Sequence, residues 1–188
     1  MKNSKHKTHT ANDVVLSSIS TLRKRARENI EAGAVTQGYA ADREAVTRLL
    51  NEALATELVC VLRYKRHYFM AKGIHSDSIK AEFMEHATEE MNHADLIAKR
   101  ITELGGEPDF SPDRLSERSH AEYVAGTTLK SMLKEDLIAE RVAIESYREM
   151  IAYLGDNDPT TQRMLKEILA SEEGHAEDLA SLLQDMRS

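Results

Sequence analysis

The 188-residue chain is 41% hydrophobic with a net charge of −7, enough apolar content for one buried core and too little length for two ordinary domains. Its single cysteine, Cys60, excludes an intrachain disulfide, a four-cysteine zinc site and a thiolate-held iron–sulfur cluster within one subunit, and points to a reducing, cytoplasmic setting. No apolar run approaches the ~18 residues of a membrane span, and the opening MKNSKHKTHT leads into polar sequence, so neither membrane insertion nor secretion is expected.

Composition favours an all-α fold: no Trp, three Pro and three Phe, against abundant Ala, Leu, Glu, Lys, Arg and Met, which lose little rotamer freedom in helices. Residues 1–30 hold seven Lys or Arg against two acids, so a basic segment precedes an acidic body. Lys2, Lys5 and Lys7 read as a solvated terminus and RKRAR (23–27) as the outer face of a helix; the sharper alternative is an arm that seeks DNA phosphates. Val15, Ile19, Leu22, Ala26 and Ile30 have helical spacing and predict a helix over 12–31, broken by Gly33 and Gly38. Residues 1–40 are thus expected to be a basic tail plus helix, set before a domain over 41–188.

A helix over 42–71 comes next, with Asp42 as its cap and Gly73 as its stop. Leu50, Leu54, Glu57, Val61, Tyr64 and Phe69 lie near one stripe of it. A second helix starts at Ser76 or Asp77 and stops at Gly105-Gly106, with Ile79, Phe83, His86, Glu90, His93, Ile97, Ile101 and Leu104 repeating at three and four. GEPDFSPDRLSERS (106–119) contains two prolines and reads as a long crossover. The third helix is expected over 121–154, carrying Leu133, Leu137, Glu140, Ile144, Tyr147 and Ile151 and ended by Gly155. Asp158-Pro159, a cap followed by proline at the first helical position, opens the fourth, with Leu165, Ile168, Glu172, His175, Leu179 and Leu182.

Ligand-type residues interrupt each of these four apolar stripes at mid-helix. A lone glutamate on one helix is followed by Glu-x-x-His on the next, twice: Glu57 then Glu90/His93, and Glu140 then Glu172/His175. The three-residue spacing sets each Glu and His on one helical face. With 21 Glu and 8 His, about one Glu-x-x-His is expected by chance, and Glu117/His120 in the crossover is a third, so spacing alone carries little. Charged residues on helices are usually solvated; four coincident interruptions of apolar stripes argue against that account here. Four carboxylates inside a bundle repel and raise one another's pKa unless cations compensate. Two divalent ions do so, and oxygen-rich ligation with one imidazole per metal suits iron or manganese. The expected arrangement has Glu90 and Glu172 bridging, Glu57 with His93 completing one metal and Glu140 with His175 the other. Coordination positions stay open for O2 or peroxide, and two adjacent irons supply two electrons together.

LNEALATELVCVLRY (50–64), EEMNHADLIAKRITELGGEPD (89–109), LKEDLIAE (133–140) and EILASEEGHAEDL (167–179) resemble the four helix motifs of bacterioferritin, over about residues 48–186. The resemblance implies a ferritin-like four-helix bundle whose ferroxidase ligands are Glu57, Glu90, His93, Glu140, Glu172 and His175. It implies oxidation of Fe(II) by O2 or H2O2 at a di-iron centre and storage of ferric mineral in a hollow homo-oligomeric shell. It also sets the family's tyrosine at Tyr64 beside that centre, a family histidine at His67, and the haem-ligating methionine at Met91. Met91 follows Glu90 and is turned about 100° from the bundle interior, and haem b would need two such residues from paired subunits. Cys60, one turn from Glu57, reads as a small buried hydrophobe.

There are departures. The chain stops at Ser188 without the short fifth helix that bacterioferritin uses around its four-fold axes, while the N-terminal helix and basic tail resemble the Dps (DNA protection during starvation) branch. A 12-subunit shell is therefore expected, although the interfacial His and Asp site usual in Dps is not apparent. Two inner-surface iron positions of bacterioferritin, a His and an Asp, are here Glu85 and Glu89. Two alternatives stand beside the ferroxidase: a Dps-like nucleoid protein coating DNA through its basic N-terminus, and an Mn catalase or peroxidase on the same bundle. Rubrerythrin proper needs four cysteine ligands, which one cysteine cannot supply.

Overall fold

The computed structural model describes residues 16–73 and 76–186. Two units divide between Gln37 and Gly38. In the first, α1 (Ile19–Arg25) is capped by Ser18, whose hydroxyl accepts from the Thr21 amide, and a 3-10 turn follows at Ile30–Ala32. This helix is shorter than the expected 12–31; residues 12–15 lie outside the described residues, and the C-terminal end stops early for a local reason. Arg23 and Arg27, four apart, set like charges on one face, and Asn29 turns left-handed at a φ of 49°. Ile19, Leu22 and Ile30 are all exposed, so among the described residues of this unit their packing does not offset the repulsion.

The second unit is built on α2 (Arg43–Met70), α3 (Ser76–Glu103), the single turn α4 (Leu115–Arg118), α5 (Leu129–Leu154) and α6 (Pro159–Asp185). Asp42 caps α2 by accepting from the Glu44 and Ala45 amides, and Asp158 caps α6 by accepting from Thr161, with Pro159 at the first helical position. Cross-helix contacts fix the directions. Tyr64 lies against Phe83 while Asn51 reaches Glu107, so α2 and α3 are antiparallel. Glu57 meets Tyr147 while Tyr64 meets Glu140, so α2 and α5 are antiparallel too. Arg100 meets Thr161 while Glu89 meets His175, which sets α3 antiparallel to α6. The four long helices therefore enclose one interior, α2 and α3 pairing on one side and α5 and α6 on the other.

The connection from α3 to α5 runs alongside α2. Asn51 donates to Glu107 O and accepts from Asp109 N–H; Thr56 Oγ1 meets His120; Arg63 donates to Glu122 O at 3.2 Å; Arg66 and His67 donate to Ala125 O. This return explains why α5 starts at Leu129 rather than near Ala121. The Glu122 and Ala125 carbonyls, which would have entered a helical ladder, are taken by side chains of α2. Gly126 then turns left-handed at φ 60°, and Thr128 and Ser131 form a capping box that begins the helix.

Apolar layers fill the interior on both sides of its middle. Phe83, Leu133 and Leu179 pack around Tyr64 at one end; Leu50, Leu54, Ile97, Ile101, Leu165 and Ile168 are buried toward the other. No described strand interrupts this all-helical architecture, and no helix among the described residues is long and apolar enough to cross a membrane.

Candidate metal centre

Between those layers the interior turns polar. Glu57 of α2, Glu90 and His93 of α3, Glu140 of α5, and Glu172 and His175 of α6 are all buried. Their ligand atoms form two overlapping groups, Glu57/Glu90/His93/Glu172 and Glu90/Glu140/Glu172/His175, and within each group the atoms lie within 4.8 Å of one another. Glu90 and Glu172 belong to both. Each imidazole turns Nδ1 inward: His93 Nδ1 is 3.0 Å from Glu172 Oε1 and 3.3 Å from Glu57 Oε2. His175 Nδ1 is 3.4 Å from Glu172 Oε2 and 3.5 Å from Glu90 Oε1.

Native interiors satisfy nearly all buried polar atoms, so exceptions are informative. Of eight buried side-chain nitrogen and oxygen atoms without a hydrogen-bond partner among the described residues, seven belong to these six residues: Glu57 Oε2, Glu90 Oε1, His93 Nδ1, Glu140 Oε2, both Glu172 oxygens and His175 Nδ1. A concentrated set of unmet donors to metal fits two cations better than it fits any protein partner. The set is oxygen-rich with one nitrogen in each group, the chemistry of iron or manganese.

The surroundings hold these candidate ligands in place. Tyr64 donates its hydroxyl proton to Glu140 Oε1, and Tyr147 donates to Glu57 Oε1. Each tyrosine thus restrains the carboxylate of the opposite helix and leaves its second oxygen facing inward. Tyr64, expected beside the centre, lies there and reaches Glu140 because its side chain crosses to α5. Tyr147 was readable only as a member of an apolar stripe; the available signal was that both tyrosines fall seven residues after a lone glutamate. His175 Nε2 donates to Glu89 Oε2 at 2.5 Å, which fixes the tautomer that presents Nδ1 inward. Glu85, the other position matched to bacterioferritin's inner surface, is exposed. His86 lies over His175 with ring centroids 4.1 Å apart, and its Nδ1 is 3.2 Å from the Tyr64 hydroxyl.

Burial and mutual repulsion dominate the electrostatics. Burial, then the neighbouring Glu90, pushes the Glu57 carboxyl well up. Burial with Glu57 and Glu140 pushes Glu172 up to about 8. Burial acts on Glu140 in the same sense, but the neighbouring His175 and Glu172, together with the Tyr64 hydroxyl, outweigh it and bring Glu140 down to about 2. Burial would lower His93, yet Glu172, Glu57 and Glu90 push it up to about 12; His175 is raised by Glu140, Glu172 and Glu90 in the same way. His86 follows burial and the adjacent His175 down to about 4. In the metal-free centre, protons on the two imidazoles and on the raised carboxyls Glu57 and Glu172 take the place of cations.

The remaining sequence candidates are placed elsewhere. His67 is fully buried, with Nδ1 2.8 Å from Asp136 and Nε2 donating to Ala125 O, so both its nitrogens are engaged. Cys60 is buried and accepts from Arg63 Nη2 at 3.4 Å. Glu117 pairs with Arg114 at 2.7 Å and His120 with Thr56, which separates the third Glu-x-x-His from the centre. Met91 faces outward and is 37% exposed.

The family model for the ferritin-like domain matches residues 47–188. The bacterioferritin of Brucella melitensis is 33% identical over 144 residues, 73% of this chain and 82% of that protein. A Nostoc protein called nutrient stress-induced DNA-binding protein is 32% identical over 143 residues, 73% of this chain and 77% of its own. Among solved structures, a dodecameric thioferritin, the bacterioferritin-related protein from Bacteroides fragilis, is similar at a TM-score of 0.76 and 35% identity, covering 79% of this chain and 89% of that one. Dps from Thermosynechococcus elongatus, with a TM-score of 0.72 at 21% identity over 74% of this chain and 90% of its own, shares the fold.

Proposed function

The chain belongs to the ferritin-like domain family, and from that premise we propose that it is a ferroxidase that oxidises Fe(II) and stores the ferric product in a homo-oligomeric cage. The observation that carries this reading is the set of seven unpartnered ligand atoms on Glu57, Glu90, His93, Glu140, Glu172 and His175, all facing one interior point. Glu90 and Glu172, members of both groups, would bridge two iron ions; Glu57 with His93 and Glu140 with His175 would complete one each. Paired iron supplies two electrons at once, so that O2 with two protons leaves as H2O2, or H2O2 with two protons leaves as two waters. Tyr64 and Tyr147 hold the terminal carboxylates in register, and Glu89 holds His175. The apolar layers on either side keep bulk water from the centre and strengthen its electrostatics.

Accelerated appearance of Fe(III) absorbance on aerobic addition of Fe(II), lost in Glu90→Ala, is the expected result; an unaccelerated wild type or an undiminished variant overturns the reading. A 12-subunit cage is the assembly proposed, supported by the dodecameric relative at 35% identity, and native mass spectrometry tests it.

A second reading, DNA contact through the N-terminal unit, has its own support. Arg23, Lys24, Arg25 and Arg27 are exposed on and just after α1, and the Nostoc relative is named for DNA binding. Lys2, Lys5 and Lys7 lie outside the described residues. Deleting residues 1–27 is expected to abolish a low-salt gel shift while Fe(II) oxidation persists; a shift that survives the deletion rules the segment out.

A further inference from the structure

A second cluster of ligand-type side chains lies beside the centre, and nothing in the reading above uses it. Glu82 and His86 of α3 and Asp178 of α6 offer ligand atoms within 4.8 Å of one another. Asp178 is exposed and Glu82 half-buried, while His86 is 2% exposed. No Lys or Arg pairs with either carboxylate among the described residues, so two acids converge there without a counter-charge.

The hydrogen bonds around His86 determine what its solvent-facing edge presents. The Tyr64 hydroxyl proton goes to Glu140 Oε1. The Tyr64 oxygen can therefore only accept from His86 Nδ1, 3.2 Å away, and Nδ1 must carry the imidazole's proton. In the neutral ring that leaves a lone pair on Nε2. Nε2 points toward Glu82, whose Oε1 is 3.5 Å away, and makes no hydrogen bond among the described residues. A lone pair at the solvent-facing edge of an otherwise buried ring, turned to two carboxylates, is an arrangement of acceptors only. Stacking on His175, 4.1 Å between centroids, and the bond to Tyr64 hold the ring in that attitude.

We propose that Glu82, His86 and Asp178 form a separate mononuclear site for a divalent cation, held by His86 Nε2 and two carboxylates. One imidazole with two carboxylates suits Fe(II) or Mn(II). That the ion is Fe(II) rests on the ferroxidase reading; that a cation binds does not. The site lies one ring away from His175, open to solvent through Asp178 and Glu82. It is placed to take up iron outside the dinuclear centre, and the hydrogen-bonded line from His86 through Tyr64 to Glu140 links the two.

The test is an anaerobic Co(II) titration by calorimetry, together with anomalous diffraction from Co(II)-soaked crystals. The expected wild-type result is three ions per subunit, falling to two in Glu82→Gln/Asp178→Asn. In Glu90→Gln/Glu172→Gln one ion is expected, with its peak beside His86. Because Glu82 and Asp178 are partly or fully exposed, their double variant leaves the core intact. Two ions in the wild type, both at the six central residues, overturn this inference and leave the dinuclear reading standing. Three ions unaffected by Glu82→Gln/Asp178→Asn overturn it as well. A single wild-type ion beside His86, lost in that double variant, supports this site and overturns the dinuclear reading instead.

Discussion

Replacing Tyr147 with Phe tests whether the tyrosines hold the centre together or merely fill space. The substitution removes one hydroxyl and keeps the ring. Tyr147 and Glu57 are each 1% exposed, so solvent does not replace the lost bond. Glu57 Oε2 already lacks a partner, and without the hydroxyl Oε1 would lack one too. An unsatisfied buried acceptor costs about 1–3 kcal/mol, more where it is charged. The metal-free variant should therefore unfold in urea with about 1–3 kcal/mol less stability than wild type, compared at equal protomer concentration because assembly adds to apparent stability. Releasing a ligand from its outer partner typically weakens metal binding by about 10–100-fold, which anaerobic Co(II) titration measures. Tyr153→Phe, at a residue 54% exposed, is the control and should change stability by less than about 0.5 kcal/mol. If Tyr147→Phe matched wild type in both unfolding and Co(II) affinity, the positioning argument would be refuted.

Asp136→Ala should cost about 3–5 kcal/mol in denaturant unfolding, because it strands the fully buried Arg63 guanidinium 2.8 Å away and frees His67. Arg63→Leu/Asp136→Leu should lose less than the sum of the single substitutions, and strictly additive losses would contradict the unpaired-charge explanation. Asp158 accepts from Thr161, Tyr39 and Arg100; burial alone would raise its carboxyl, but these hydrogen bonds hold it below its ordinary range. A depressed pKa gives stability that is complete above the unfolded value of about 3.9 and lost as pH falls through the folded one. Asp158→Asn should accordingly be less stable at neutral pH, with the gap closing below about pH 4; a gap that widens on acidification would reverse the sign. His120→Ala should leave Co(II) stoichiometry unchanged, since His120 is bound to Thr56 in the crossover, and loss of an ion would give the third Glu-x-x-His a role in metal binding.

What could be read from the sequence depended on how local its cause was. Asp42, Gly155 and Asp158-Pro159 terminate helices through neighbours a few residues away, and those boundaries match the structure. The start of α5 does not, because it is decided by Arg63, Arg66 and His67, whose side chains claim carbonyls 58 or 59 residues along the chain. α1 is short because like charges work against a helix whose apolar residues stay exposed, and periodicity alone does not weigh that repulsion. The six central residues stood out since a carboxylate or imidazole in an apolar stripe is conspicuous. A tyrosine in the same stripe is not. Tyr147 looks like core until its partner, 90 residues away, is known.

The two-fold echo that exposed the ligands also hides a difference between the halves. Each half contributes a lone glutamate, a paired glutamate and histidine, and a tyrosine two turns after the lone glutamate. The ligands repeat, but what lies behind them does not. His175 is tied by Glu89 at Nε2 and covered by the His86 ring, whereas His93 has neither contact among the described residues and keeps a side-chain exposure of 9%. Glu140 likewise shares its tyrosine with His86, while Glu57 shares its tyrosine with no described histidine. An ion beside Glu140 and His175 would sit against side chains whose rotamers are already restrained, so less ordering entropy opposes its binding there than beside Glu57 and His93. The more restrained half also carries the Glu82, His86 and Asp178 cluster on its outer side. Repetition of the motif built two similar sets of candidate ligands, and the unrepeated residues around them would give the two positions different strengths.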